Sequence, residues 1–209
     1  MTDSRFGGAL ACLVDLANNY LGALTAKDAS RVPFATDVKF VENAKRARPG
    51  EGLWKTVTAG PTEFKIIVPD PVSQQVAGIV MVQSEGKPAQ LGFRLKLANG
   101  KVTEAEHLIA MIREQFVSNL QTVRPGIAKE VPYEYADSRG RLIHIAKAYY
   151  DALDLNNGSL APFAPDCERR ENGMRTAPSG GLASGGGMPG APPRPPGLAG
   201  MQDCRSQLD

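Results

Sequence analysis

Residues 75–112 read QVAGIVMVQSEGKPAQLGFRLKLANGKVTEAEHLIAMI. Apolar residues recur with a period of two through most of this stretch, and Glu85-Gly86 and Asn99-Gly100 interrupt it. Period two is the signature of a strand with one buried face, and Asn-Gly supplies the two positive φ angles of a tight hairpin turn. Adding the apolar run just upstream predicts four consecutive strands, Phe64–Val68, Gln75–Gln83, Lys87–Ala98 and Lys101–Ile112, the first two parted by Pro69-Asp70-Pro71. Strands joined this tightly pair antiparallel in chain order.

Upstream the period changes. Leu10, Leu13, Ala17, Tyr20, Leu21 and Leu24 fall at helical spacing within residues 9–26, with Asp15, Asn18, Asn19 and Lys27 opposite. Val38–Glu42 alternates as a strand, and Arg48–Trp54 reads as a turn leading into a short helix or loop. A helix followed by an antiparallel meander is an α+β pattern. The apolar stripe of the helix must lie across one face of a curved sheet.

The chain also repeats itself. At a constant offset of 129, residues 13–43 and 142–172 share 12 identities in 31 positions. They include Tyr20 with Tyr149, Pro33-Phe34-Ala35 with Pro162-Phe163-Ala164, and Glu42-Asn43 with Glu171-Asn172. Fixed-period similarity points to one supersecondary unit used twice. The second copy has too few residues left to build a sheet, so it docks on the first domain, pairs with another chain as in a homodimer, or stays partly unfolded. The expected division is a cone over 1–125, a linker and truncated copy over 126–176, and a disordered tail over 177–209. Within that tail, 14 of the 24 residues from 177 to 200 are Gly or Pro.

The bulk numbers exclude some partners. The 209 residues carry a net charge of +2, with Lys and Arg scattered rather than striped, which argues against nucleic acid. No apolar run is long enough to span a membrane, and the first residues lack the pattern of a signal peptide. The expected compartment is cytoplasmic, with secretion following if a further segment precedes Met1. Cys12 reads as a small buried hydrophobe, whereas Cys167 and Cys204 could close the Gly/Pro-rich loop in an oxidising compartment. No cysteine or carboxylate stands at ligand spacing from His107 or His144, and no glycine-rich loop sits in a βαβ context. The expectation is no metal and no cofactor.

The helix, the strand Asp37-Val-Lys-Phe-Val-Glu42 and the meander closed by Asn99-Gly100-Lys101-Val102 together resemble the nuclear transport factor 2-like, or SnoaL-like, α+β cone. The doubled helix with its Pro-Phe-x-x-Asp and Glu-Asn elements resembles, more narrowly, a two-copy family of that superfamily whose second cone is complete. The resemblance implies an apolar pocket between helix and concave sheet that binds a small apolar or polycyclic molecule. In catalytic members the chemistry is cofactor-free proton transfer of the isomerase, cyclase or dehydratase type. It also implies roles. Tyr20 matches the tyrosine that donates to a substrate oxyanion, and Glu42 falls where ketosteroid isomerases place the general base. His107 is an alternate acid-base group, and Trp54, Phe34, Leu91 and Phe93 are the substrate-binding residues. The family's protonated aspartate has no counterpart, its place being taken by Gln90 or Leu91. A carboxylate in an apolar cavity would have a raised pKa, which suits a base working near neutrality.

Simpler readings compete. A mid-helix tyrosine is commonly a core residue whose hydroxyl finds a partner. Glu42-Asn43 can tie down a turn, Phe34 can close the corner between helix and strand, and His107 can be a hydrogen-bonded core histidine. The alternative function is a non-catalytic interaction or dimerisation module.

Overall fold

Alternation and turn chemistry translate into strands at almost the expected bounds. The computed structural model describes residues 4–178 and 203–208. It divides into two compact units, residues 1–129 and 130–209. Most of the stretch expected to be disordered lies outside the described residues.

The first unit opens with helix α1 (Ser4–Thr25). A 3-10 turn at Ala29–Arg31 follows, capped by Asp28, whose carboxylate accepts from the Ser30 amide. Then come β1 (Phe34–Glu42), β2 (Lys45–Ala47), the one-turn helix α2 (Leu53–Thr56) and β3 (Val57–Ala59). The meander is β4 (Lys65–Asp70), β5 (Gln75–Ser84), β6 (Lys87–Ala98) and β7 (Lys101–Met111), and short turns α3 (Glu114–Val117) and α4 (Pro125–Ala128) end the unit. Seven strands form one sheet in the order β2-β1-β7-β6-β5-β3, with β4 also paired to β5. The sheet curls into a half-barrel.

Burial follows the pleat. On β6, Ala89, Leu91, Phe93 and Leu95 point inward and are buried, while Arg94 and Lys96 point outward to Glu104 and Glu106 of β7. The stripe Leu13, Ala17, Tyr20, Leu21 and Leu24 on α1 covers this concave face. At about 1.5–3 kcal/mol per fully buried large apolar side chain, this interface supplies much of the unit's stability. Cys12 belongs to the opposite face of the helix and is exposed, which corrects the expectation of a buried thiol. Its phase was hidden because residues 9–14 are almost uniformly apolar.

One irregularity aims the central side chain. Lys96 pairs with Glu104 but Leu97 pairs with Val102, so Thr103 is an extra, unopposed residue in β7. Such a bulge shifts the inward phase by one. Val102 is buried before it and Ala105 and His107 after it.

The second unit contains α5 (Arg139–Asp154), a 3-10 turn at Gly158–Leu160 and the hairpin β8 (Arg169–Glu171) with β9 (Met174–Ala177). Ser138 caps α5 by accepting from the Arg141 amide. Its core is small, comprising Ala152, Ala161 and Leu208, with Tyr149 and Phe163 packed against it. Leu208 arrives from beyond the Gly/Pro-rich loop. A disulfide between Cys167 and Cys204, 37 residues apart, holds that end in place, assisted by Gln207, which hydrogen-bonds Arg169 and the Thr176 carbonyl. Closing a loop of this length is worth about 4 kcal/mol in the chain-entropy model. A core of three buried side chains cannot replace that. Cys204→Ser is therefore expected to unfold the second unit and leave the first intact, seen as loss of amide-exchange protection confined to residues 139–177.

Candidate functional site

Glu42 ends β1 with its side chain on the same face as buried Phe40. β1 pairs parallel with β7, and the register sets Glu42 directly beside His107. The Glu42 Oε2 lies 3.2 Å from His107 Nδ1, and His107 Nε2 lies 2.7 Å from the Tyr20 hydroxyl on α1. Three candidate residues, from β1, β7 and α1, thus form one continuous chain. A carboxylate can only accept, so in the neutral imidazole Nδ1 carries the proton and donates to Glu42, leaving Nε2 to accept from Tyr20. The hydrogen bonds run in one direction, from Tyr20 through His107 to Glu42.

The rim of the site is a loop. The Leu53 amide donates to both Glu42 oxygens, at 3.2 and 3.1 Å. Gly52 makes this approach possible: its φ is +58°, and a Cβ there would stand 2.0 Å from Glu42 Oε1. The neighbouring turn is held by Asn43, whose Oδ1 accepts from the Ile109 amide at 2.8 Å and whose own amide donates to the His107 carbonyl. Glu42-Asn43 therefore fastens β1 to β7 and to the loop.

Electrostatics reverses the expected direction of the Glu42 pKa. Burial pushes the Glu42 carboxyl up, but the hydrogen bond from His107, the Leu53 amide and the charge interaction with His107 together outweigh it, and the pKa is lowered. Burial pushes the Tyr20 phenol well above its ordinary range; the nearby Trp54 N–H acts against this and the Glu42 charge adds to it. Glu42 is thus ionised and Tyr20 is a neutral donor at pH 7. Because the folded pKa of Glu42 lies below its unfolded value, its contribution to stability is full above about pH 4.3 and is lost as pH falls through the folded pKa. Denaturant titrations should show wild type more stable than Glu42→Gln at pH 7, with the gap shrinking toward pH 3.

The four expected substrate-binding residues surround this chain. Tyr20 meets Phe34, Trp54 and Phe93 with ring centroids 6.2, 5.5 and 6.0 Å away, and Leu91 lies in the same core. They do not line an open hollow. Tyr20, Trp54, His107 and Leu91 expose 0–1% of their surface, so none of them opens to solvent. The aromatic rings pack against one another beside Glu42, and of Tyr20, His107 and Glu42 it is Glu42, at 17% side-chain exposure, that reaches water. Gln90 is half-buried on β6 and Leu91 is fully buried, so neither brings an acid to the chain. Asp37 and His144 are exposed.

Sequence reasoning missed two features. The Leu53 amide is one, and no side-chain pattern could have marked it. The other is the buried Trp54 indole Nε1, which forms no well-aligned hydrogen bond among the described residues yet lies close enough to the Tyr20 oxygen to pull the phenol's pKa down. It lies edge-on to Tyr20. No cluster of three His, Cys, Asp or Glu side chains able to hold a metal occurs among the described residues, and no described helix is long and apolar enough to cross a membrane.

With this geometry established, known proteins can be compared. A family model described as a domain of unknown function, DUF8021, matches residues 135–208. No curated protein matches the chain. Among solved structures, an NTF2-like protein from Cytophaga hutchinsonii is 13% identical and covers 47% of this chain and 89% of its own, with a TM-score of 0.38. A candidate ketosteroid isomerase from Kribbella flavida is 15% identical over 59% of this chain and 92% of its own, TM-score 0.39. A candidate hydroxylase from Streptomyces galilaeus is 19% identical over 60% and 91%, TM-score 0.38. The first unit is an α+β fold, a long helix laid across one face of a curled sheet, and it resembles the nuclear transport factor 2-like, or SnoaL-like, cone.

Proposed function

We propose that the first unit binds a small apolar molecule bearing a carbonyl or hydroxyl oxygen and moves a proton along Tyr20, His107 and Glu42, as a cofactor-free isomerase, cyclase or dehydratase would. The observation that carries this reading is the continuous chain, a phenol in the apolar interior wired through an imidazole to an ionised carboxylate at the rim. The Trp54 N–H beside Tyr20 supports it, because this buried donor has no well-aligned acceptor and a ligand oxygen would supply one. Entry requires the loop carrying Gly52, Leu53 and Trp54 to open and reclose, which breaks the two Leu53 bonds to Glu42 and the exposed Lys27 bond to the Lys55 carbonyl and transiently lifts Leu53 and Trp54 from the core. With a substrate oxygen bound, the Tyr20 hydroxyl turns its one proton from His107 to that oxygen beside the Trp54 N–H, the freed Nε2 takes the proton released by the substrate carbon, and Nδ1 passes its own proton to the Glu42 carboxylate.

A second reading, an interaction module without catalysis, is favoured by the closed interior. The chain is then a polar tie between α1, β1 and β7. A thermal-shift screen against hydrophobic carbonyl compounds separates the two, since a ligand that binds only the folded state raises its midpoint. The binding reading expects hits that weaken in Tyr20→Phe and in Trp54→Phe; a screen without hits in wild type supports the module. We further read the second unit's disulfide as a sign of an oxidising compartment rather than the cytoplasm.

A further inference from the structure

The offset that aligns the two halves of the sequence pairs one buried helix face with one open helix face. On α1, Leu13, Ala17, Leu21 and Leu24 are at most 3% exposed, because the sheet covers them. Their counterparts on α5 are Leu142, Ala146, Tyr150 and Leu153, and these are open: Leu142 is 55%, Tyr150 70% and Leu153 40% exposed, with Ala146 exposed between them. The four α5 positions are spaced four, four and three residues apart, so they form one stripe. The unit's own small core uses another side of the helix, through Ala148 and Ala152. An apolar stripe of this length on a 16-residue helix is the kind of surface that marks an interaction site.

The charges on α5 say what covers it. Arg139 lies at the amino-terminal end of the stripe and Asp154 flanks its carboxyl-terminal end. Turned antiparallel about a two-fold axis near Ala146, two such helices bring Arg139 of each copy to Asp154 of the other. The same operation lays Leu142 against Tyr150 and places the small Ala146 side chains at the crossing, where the backbones can approach. A parallel arrangement would instead set like charges together. The stripe is thus complementary to itself only in the geometry of an isologous dimer.

We propose that the α5 face of Leu142, Ala146, Tyr150 and Leu153 is a homodimer interface in which two copies of this chain pair antiparallel, with Arg139 and Asp154 setting the register. It is independent of any ligand in the first unit.

Sedimentation velocity of the full chain between about 1 and 100 μM tests it. The expected result is a reversible dimer. Ala146→Arg, which keeps a good helix former at the crossing point, should weaken it by more than about tenfold, with helix content unchanged by circular dichroism. Asp154→Arg should weaken it by about tenfold, and combining it with Arg139→Asp should restore association. A wild-type chain that stays monomeric throughout this range overturns the proposal. So does a dimer indifferent to Ala146→Arg, or a charge swap that fails to restore what the single change removed.

Discussion

His107→Ala should remove about 3–6 kcal/mol from the stability of the first unit. Two costs add. Deleting the imidazole empties a fully buried position packed edge-on against Phe40 and Tyr20, with ring centroids 5.0 and 5.8 Å away, and cavities of that kind cost about 2–3 kcal/mol. It also strands the Tyr20 hydroxyl, 0% exposed, without an acceptor, for about 1–3 kcal/mol more. Trp54 is the sole tryptophan and sits in this core, so its fluorescence during guanidinium denaturation follows the first unit alone. That matters because a two-unit chain need not unfold in one step. A loss below about 1 kcal/mol would mean that the imidazole is not packed and bonded as described.

Gly52→Ala should cost about 2–4 kcal/mol although it adds only a methyl group. The new Cβ would stand 2.0 Å from Glu42 Oε1 and 2.6 Å from its Cδ, and φ is +58°. Glu42 must retreat, releasing the Leu53 amide and pulling away from His107. The control is Gly50→Ala, where φ is +90° but nothing lies within 4 Å, so only backbone strain of about 1 kcal/mol applies. Equal losses at the two positions would show that the Glu42 contact is not what requires glycine. The same Gly52 variant should bring the carboxyl of Glu42 back toward its ordinary pKa, reducing the acid-dependent difference from Glu42→Gln described above.

Much of the cone was legible in the residues because its signals are local. The four meander strands were foreseen within one or two residues of their bounds, since alternation and Asn99-Gly100 both act over a few positions. β2 and β3 were not foreseen, each being three residues long and too short to display a period. Tyr20, Glu42 and His107 were each singled out, but their junction depends on a parallel pairing of β1 with β7 and on the Thr103 bulge. Both are long-range features that no spacing reveals. The direction of the Glu42 pKa was misjudged for the same reason: desolvation can be guessed from apolar neighbours, whereas the Leu53 and His107 donors come from 11 and 65 residues away. The open hollow was expected from likeness to ligand-binding cones. Here rings at positions 20, 40, 54 and 93 are buried together in the core beside His107.

The ring nitrogens of His107 offer the most direct test of the one-way chain from phenol to carboxylate. A long-range nitrogen-to-carbon-proton correlation spectrum of the folded chain near pH 8 distinguishes protonated from bare imidazole nitrogens, and His144, being exposed, provides an internal reference. The account predicts a single tautomer for His107, with the proton on Nδ1 and Nε2 unprotonated. A proton on Nε2, or rapid averaging of both nitrogens as in a free imidazole, would contradict it.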